Sequence, residues 1–353
     1  MKAVERTKKF LLGLPEPLSA PFHLLRARRL PKGLFLTASN KCNLRCEMCP
    51  YLELHEKNSA NMTMQTFNNF LPLLKRLEWV LFGGLGEPLL NPQLVEMLKA
   101  VKKANPRIET RILTNGMLIN KSFLEKAVPL IDFFGFSFDG CSQQTVKKMR
   151  AGINPEKVLE NIRLVAEARA RLNKKMITET NYVVNCKTYK ELPAFIELAG
   201  RLGVNQIRLL NHEMRTRAGF KKNFYFALKK DKGKDLRAAL VKAEKAKISV
   251  ILPFFEKPYC GYMGCPMTSA DGSVYACCNY VGKRIITSDT KIIRFPETPL
   301  GNVNDSNFEK IWREKKSLTQ RSDNLKGKFK GYCLDCMQWQ KKISDAIKEN
   351  SGG

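Results

Sequence analysis

Long apolar runs are missing from this 353-residue sequence: no stretch of eighteen uncharged apolar residues occurs, which argues against a membrane-spanning helix. Histidine is scarce. Its three copies, His23, His55 and His212, stand outside any base-plus-nucleophile pattern and are read as structural. Acidic residues are few beside basic ones, 33 Asp+Glu against 61 Lys+Arg, for a formal net charge of +28. An export signal is not expected, because the N-terminal run FLLGL is too short for its apolar core and no small-residue cleavage site follows. The expected compartment is therefore the cytoplasm. Disorder throughout is excluded by an apolar content of 44%.

The basic excess gathers in residues 1–32 and 221–247. Solvated lysine-rich helices are the first expectation, and attraction to a polyanion, an anionic membrane face or an acidic partner is the second. The basic stretches lack interleaved aromatic platforms and no zinc-finger or RNA-binding signature accompanies them, which leaves nucleic acid a minor option.

Cysteine is not scarce. Eleven cysteines in a chain without an export signal read as metal ligands rather than disulfides. Three of them, Cys42, Cys46 and Cys49, fall in SNKCNLRCEMCPY (39–51) with the spacing C-x3-C-x2-C. Six more, Cys260, Cys265, Cys277, Cys278, Cys333 and Cys336, lie far downstream, the last two as a CxxC knuckle. Cys141 and Cys186 are isolated and read as small core or loop residues.

Between these groups, short β-branched or aromatic runs alternate with amphipathic helical stretches. Strands are expected at 33–39, 79–84, 108–116, 133–140, 178–185 and 205–210, with helices at 63–77, 92–104, 121–131, 155–172 and 189–203. Six strand–helix units with short connections predict an α/β fold with a parallel sheet, curved into a partial or full barrel. Ligands gather at the C-terminal ends of such strands. The expected organisation is a basic N-terminal segment (1–29), a barrel (30–215), a lysine-rich helical connector (216–250), a small cysteine-rich domain (251–340) and a flexible tail (341–353).

Ligand number distinguishes the first cysteine group. A structural zinc site closes with four ligands, commonly two CxxC pairs, and ferredoxin spacing is C-x2-C-x2-C with a fourth cysteine. Three thiolates on a [4Fe–4S] cluster leave one iron with an open position. The other strand ends carry FGGLGEP (82–88), TNG (114–116) and SFDG (137–140). Glycines let backbone approach a ligand closely, and Glu87 can pair with an ammonium group. Thr114, Asn115, Ser137, Asp139 and, one strand on, Asn185 offer hydroxyl, amide and carboxylate partners, although Asn and Asp before Gly are also ordinary turn residues. In the downstream group, four of the six thiols close either a [4Fe–4S] cluster or an all-thiolate zinc site, and ligand chemistry alone leaves that choice open.

C-x3-C-x2-C after the first strand of a (β/α)6 unit resembles the radical S-adenosylmethionine (SAM) superfamily. The resemblance covers roughly residues 30–215. It implies that Cys42, Cys46 and Cys49 hold a [4Fe–4S] cluster whose open iron chelates SAM. One electron then cleaves SAM to a 5′-deoxyadenosyl radical that abstracts a substrate hydrogen. It further implies that Gly83, Gly84 and Glu87 hold the amino group of SAM, and that Thr114, Asn115, Ser137, Asp139 and Asn185 line its site. Met48 stands where the family often has an aromatic residue and presents an apolar surface to adenine. The run C…DG-x-V-Y-x-C, LGNV, FEKIW and C-x2-C resembles the SPASM/Twitch extension of these enzymes, which holds auxiliary [4Fe–4S] clusters. The further cysteines of a full SPASM pattern are missing, so one auxiliary cluster is expected, on Cys277, Cys333, Cys336 and either Cys260 or Cys265, with Cys278 as a substitute.

The resemblance implies a radical SAM oxidoreductase that oxidises or crosslinks a peptide or protein, with flavodoxin or ferredoxin as electron donor. A small-molecule alcohol or sugar dehydrogenase of Twitch type is the competing expectation. A non-enzymatic iron–sulfur electron carrier, or a redox-sensing nucleic-acid binder, is the reading from another class; a carrier has no need for three polar motifs at successive strand ends.

Overall fold

A computed structural model describes Leu25 and residues 27–49, 59–211, 224–253, 260, 264–281, 285–287, 292–294 and 296–351. Most of the N-terminal basic segment and all three histidines lie outside these residues.

The strands form where the sequence alternates or runs apolar. β1 (Gly33–Leu36), β2 (Trp79–Phe82), β3 (Glu109–Thr114), β4 (Phe133–Ser137), β5 (Ile177–Val184) and β6 (Gln206–Asn211) pair in parallel in chain order. In β3, Thr110, Ile112 and Thr114 are buried while Arg111 and Leu113 between them are half-buried on the opposite face, the alternation a strand imposes. The helices cover the first of these faces. α1 (Leu94–Ala104) buries Leu94, Met97, Leu98 and Val101 at helical spacing. α2 (Gln143–Met149) starts at Ser142, whose hydroxyl accepts from the Thr145 amide. α3 (Pro155–Arg171) opens with Pro155 and is capped by Asn154, which accepts from the Lys157 amide. α4 (Leu192–Arg201) packs Phe195 against Tyr182 of β5, ring centroids 4.6 Å apart.

The sheet extends beyond six strands at both edges. The lysine-rich segment is not a free connector over its described part: α5 (Phe224–Asp231) is followed by α6 (Lys234–Lys245), which buries Leu236, Ala239 and Ala243. α6 leads into β7 (Ser249–Ile251), which pairs in parallel with β6. Three residues with a single sheet neighbour leave too short a pattern to be recognised in sequence. At the other edge, β8 (Met267–Thr268) lies parallel to β1, and β9 (Ser273–Tyr275) and β10 (Gly301–Asn302) continue antiparallel from it. The Phe35 amide donates to Pro266 O at 3.0 Å, and the Thr37 amide donates to Thr268 Oγ1 at 3.1 Å. The downstream cysteine-rich region is therefore joined to the barrel by a continuous sheet.

α7 (Phe308–Arg313) and α8 (Lys315–Leu325) seat this region from outside. Arg321 of α8 stacks on Trp312, 3.7 Å from its ring centroid, and donates to Ala27 O at 3.1 Å. Burial pulls its guanidinium down to about 10. The expected flexible tail is corrected: α9 runs from Tyr332 to Ser351 and buries Ile343, Ala346 and Ile347. Its apolar residues at i, i+3 and i+4 are few, and the charged residues between them conceal the stripe.

If α9 is part of the folded unit, Ile347→Ala should destabilise the protein by about 2–4 kcal/mol in urea denaturation, the cost of deleting a buried branched side chain. An exposed tail residue would show no change.

Candidate functional site

The three-cysteine loop leaves the end of β1 and is fastened from several sides. Arg45–Cys46 pairs antiparallel with Arg150–Ala151, and the Glu47 amide donates to Met149 O at 3.0 Å. The Cys49 amide closes a turn on Cys46 O at 3.1 Å, and Arg45 Nη1 donates to Cys42 O at 3.0 Å. All three cysteines are half-buried and none of the eleven in the chain forms a disulfide. Burial pushes the Cys42 thiol up to about 11, with Glu87, Cys46 and Cys49 close enough to add to the shift. Burial also raises Cys46, against the opposing charge of Arg150. Thiols so placed keep their protons until a cation displaces them.

Glu87 sits beneath this loop, 2% exposed. Its Oε1 accepts from Thr114 Oγ1 at 2.6 Å and the Leu89 amide at 3.2 Å, and Oε2 accepts from the Asn115 amide at 2.8 Å. Asn115 Nδ2 in turn donates to Asn43 Oδ1, inside the cysteine loop, at 2.8 Å. The expected residues Glu87, Thr114 and Asn115 therefore meet at one point, and they are tied to the loop through Asn43. Gly84 has φ +115°, and a Cβ there would meet the Met267 methyl at 2.3 Å. Gly83 is packed against Leu113. Sequence reasoning missed Gly86, where a Cβ would meet Ser39 O and Lys41 O at 2.4 Å. Only a glycine lets the β2 turn lie against the start of the loop, and the signal was the third glycine of GGLGE.

Met48 packs with Met149 and Val183 at the mouth of the barrel, beside Leu210. Ser137 ends β4, half-buried, in register with Asn181. Asp139 and Asn185 each have partners within the protein. Asp139 is completely buried, accepts from the Val183 amide at 2.6 Å and pairs with Arg150 Nε at 2.7 Å. Arg150 Nη1 reaches Cys46 Sγ at 3.8 Å. The Asn185 side chain accepts from the Lys187 and Thr188 amides and donates to Met149 Sδ at 3.4 Å, so it shapes the turn after β5. Arg150 was missed because a basic residue just past a helix end is ordinary in sequence. The neutralising carboxylate, eleven residues earlier, is visible only in space.

Downstream, Cys260 and Cys277 pack in one small cluster with Ala276, Tyr280 and Leu300. A hydrogen bond with Cys277, then burial, holds the Cys278 thiol well above its usual range, and Cys336 and Cys260 add to the effect. Tyr280 Oη lies 3.5 Å from Cys333 Sγ, and Cys277 acts on Cys333 as well. Five thiols thus converge, Cys278 among them. Cys265 stands elsewhere, half-buried, with the Arg111 charge of β3 opposing the upward push of burial on its thiol. Of the isolated cysteines, Cys141 lies against Glu191, and Cys186 is exposed. One apolar cluster (Leu85, Met267, Tyr275, Val281) has both Cys49 and Cys278 packed against it. Among the described residues, no three or more His, Cys, Asp or Glu side chains are set to hold a single metal ion, and no helix is long and apolar enough to cross a membrane.

Burial raises the Glu87 carboxyl from its ordinary 4.5 to about 7. Over that window the folded chain keeps a proton that the unfolded chain has released, so Glu87 lowers stability as pH rises. Urea denaturation of Glu87→Gln should show a shallower loss of stability between these pH values than the parent protein, and parallel curves would place the Glu87 carboxyl in water.

The family model described as the Radical SAM superfamily matches residues 36–199, and the SPASM iron–sulfur cluster-binding domain matches residues 265–337. The chain is 29% identical over 188 residues to the tungsten-containing aldehyde ferredoxin oxidoreductase cofactor-modifying protein of Pyrococcus furiosus, covering 51% of each. It is 26% identical over 181 residues to a probable GTP 3′,8-cyclase of Saccharolobus islandicus, covering 51% of this chain and 56% of the relative. The chain spans about half the length of these curated relatives. Among solved structures, anSMEcpe with bound AdoMet aligns with a TM-score of 0.63 at 18% identity, covering 90% of this chain and 95% of that one. Streptococcus suis SuiB bound to the precursor peptide SuiA aligns with a TM-score of 0.64 at 14% identity, covering 92% and 73%. At such identities the likeness is one of fold. Cysteine spacing, a parallel barrel that carries this loop on its first strand, and two family models in the matching order lead to one assignment: the chain belongs to the radical SAM superfamily and carries an SPASM iron–sulfur cluster-binding domain downstream of its barrel.

Proposed function

We propose that Cys42, Cys46 and Cys49 hold a [4Fe–4S] cluster with one iron open to SAM, and that this enzyme oxidises or crosslinks a peptide or protein substrate. The observation that carries the reading is the fastening of a three-thiol loop above a buried Glu87 whose two oxygens are already engaged by Thr114, Asn115 and Leu89. That carboxylate is committed away from the thiols, so the set fits a cluster with three protein ligands. When bound, the cluster supplies the electron that cleaves SAM to a 5′-deoxyadenosyl radical.

The protein's own groups do the positioning. Glu87 Oε2, which takes a single donor, has accepting capacity left for a SAM ammonium, and Thr114 and Asn115 fix the carboxylate for it. Gly83 and Gly84 let backbone approach it, and Met48 with Met149 offers adenine an apolar face. Arg150, neutralised by Asp139, places an N–H against Cys46 and adds a charge-assisted donor to that ligand. Asn185 adds a polar group at the rim, and Ser137 one in the layer below it.

For the auxiliary cluster, Cys277, Cys333 and Cys336 take Cys260 as the fourth ligand, because Cys260 packs with Cys277 whereas Cys265 stands beside Arg111. Cys278 is the adjacent reserve. A peptide or protein substrate is supported by the basic surface, and SuiB, of similar fold, has been solved with a precursor peptide. Residues 337–353 hold no cysteine, which favours a second reading, a small-molecule dehydrogenase with one auxiliary cluster. The electron donor is an acidic flavodoxin or ferredoxin matched to that charge, in a reducing, cytoplasmic setting.

Anaerobically reconstituted, reduced protein should release 5′-deoxyadenosine from SAM, and Cys42→Ala, Cys46→Ala or Cys49→Ala should each reduce that release to background. Persistence in any of the three would overturn the assignment. In iron and sulfide analysis, Cys260→Ala should lose one cluster's worth of iron and Cys265→Ala none; the reverse pattern would exchange their roles.

A further inference from the structure

The inner face of the barrel below the cysteine loop carries an arginine whose working end is uncommitted. Ile207 and Leu209 of β6 are buried in the core beneath the helices, so Gln206, Arg208 and Leu210 take the opposite face. Leu210 packs beside Met48, Met149 and Val183 at the barrel mouth, which identifies that face as the inner one. Arg208 lies two residues before Leu210, roughly 7 Å further down the strand.

Register places Arg208 beside Asn181 of β5, and Asn181 beside Ser137 of β4. These three form a polar layer directly below the apolar layer of Met48, Val183 and Leu210. Gly135, next to this layer on β4, has no side chain, and a Cβ there would stand 3.3 Å from Asn181 Nδ2.

Arg208 is held by Glu179, which is 1% exposed. Glu179 Oε1 accepts from Arg208 Nε and Asn181 Nδ2, each at 3.1 Å, and Oε2 accepts from Gln206 Nε2. The asymmetry matters: the carboxylate is buried and fully engaged, whereas the Arg208 side chain is 39% exposed. Among the described residues its two terminal nitrogens make no hydrogen bond. A guanidinium fixed through Nε keeps its outer edge for a second, bidentate oxyanion. Arg111, the other arginine on this face, does not qualify, because Glu109 takes its Nη2 at 2.6 Å.

We propose that Arg208, oriented by Glu179, is a specificity-determining residue that binds an oxyanion of the substrate, a carboxylate or a phosphate. The substrate's reacting carbon then lies in the apolar layer above, near Met48. This rests on the reading of the barrel mouth as the SAM site, and it adds that the substrate is anionic at the end pointing into the barrel.

The test is residue-specific arginine modification of the reconstituted protein by phenylglyoxal, read by peptide mass spectrometry. Succinate and inorganic phosphate are the probes, N-methylacetamide is the neutral control, and sodium chloride keeps ionic strength constant. Arg163, exposed and paired with Glu160 and Glu167, is the internal reference. At least one anion should slow modification of Arg208 by about fivefold relative to Arg163, a selectivity expected of a bidentate contact. Slowing by succinate alone assigns a carboxylate, by phosphate alone a phosphate, and by both a site open to either. In Glu179→Gln the selectivity should fall below about twofold, because the guanidinium loses the charge that aims it. Equal slowing of the two arginines, no slowing, or equal slowing by N-methylacetamide would overturn the proposal. Release of 5′-deoxyadenosine by the same preparation separates the two readings: release without Arg208 protection sinks only this proposal, and no release sinks the SAM-site reading.

Discussion

Everything at this site depends on how the cysteine-bearing residues 39–49 are held in place by the elements packed around them. Over residues 39–49 regular structure is confined to the Ser39 bridge to Asn61 and the ladder residues Arg45 and Cys46, so the shape of the loop is borrowed. Arg150–Ala151 lends it a strand, Asn115 lends a side-chain amide to Asn43, and Gly86 brings the β2 turn against its first residues. Two of these supports follow strand ends, Gly86 after β2 and Asn115 after β3, and the third follows α2. A parallel barrel is suited to this because it gathers the strand C-termini on one rim.

The electrostatics follow from that confinement. Burial raises the thiols, so a metal must displace their protons, and it leaves the site unable to tolerate an unpaired charge. Arg150 lies beside Cys46 and is neutralised by completely buried Asp139, which is itself fixed by a backbone amide of β5. Glu87 is buried with three donors. The sheet then extends the arrangement outward. β8 continues it past β1, and Leu85, Met267, Tyr275 and Val281 form one apolar cluster with Cys49 and Cys278 both packed against it. Cys49 and Cys278 thus pack against one apolar cluster, although 229 positions separate them in sequence.

Much of this was legible in the sequence because it is local. Strand and helix periodicity from β1 to β6, the cysteine spacing and the glycine–glutamate turn all act over a few residues. The missed features are long-range. β7 and β8 are two or three residues long and exist because an edge strand is there to receive them. α9 looked like a frayed end because only Ile343, Ala346 and Ile347 mark its buried face. The pairing of Asp139 with Arg150 was missed because only the position of Arg150 in space reveals it. The proposed choice of Cys260 over Cys265 rests on the packing of Cys260 with Cys277, which spacing does not reveal.

The central claim is that one iron of the N-terminal cluster is left for SAM. Electron paramagnetic resonance of the reduced protein tests it most directly, with Cys333 and Cys336 replaced by Ala so that only this cluster contributes. The account predicts a [4Fe–4S] signal whose g-values shift on addition of SAM. A signal that SAM leaves unchanged would mean that a fourth protein ligand already closes the cluster, and would contradict the account.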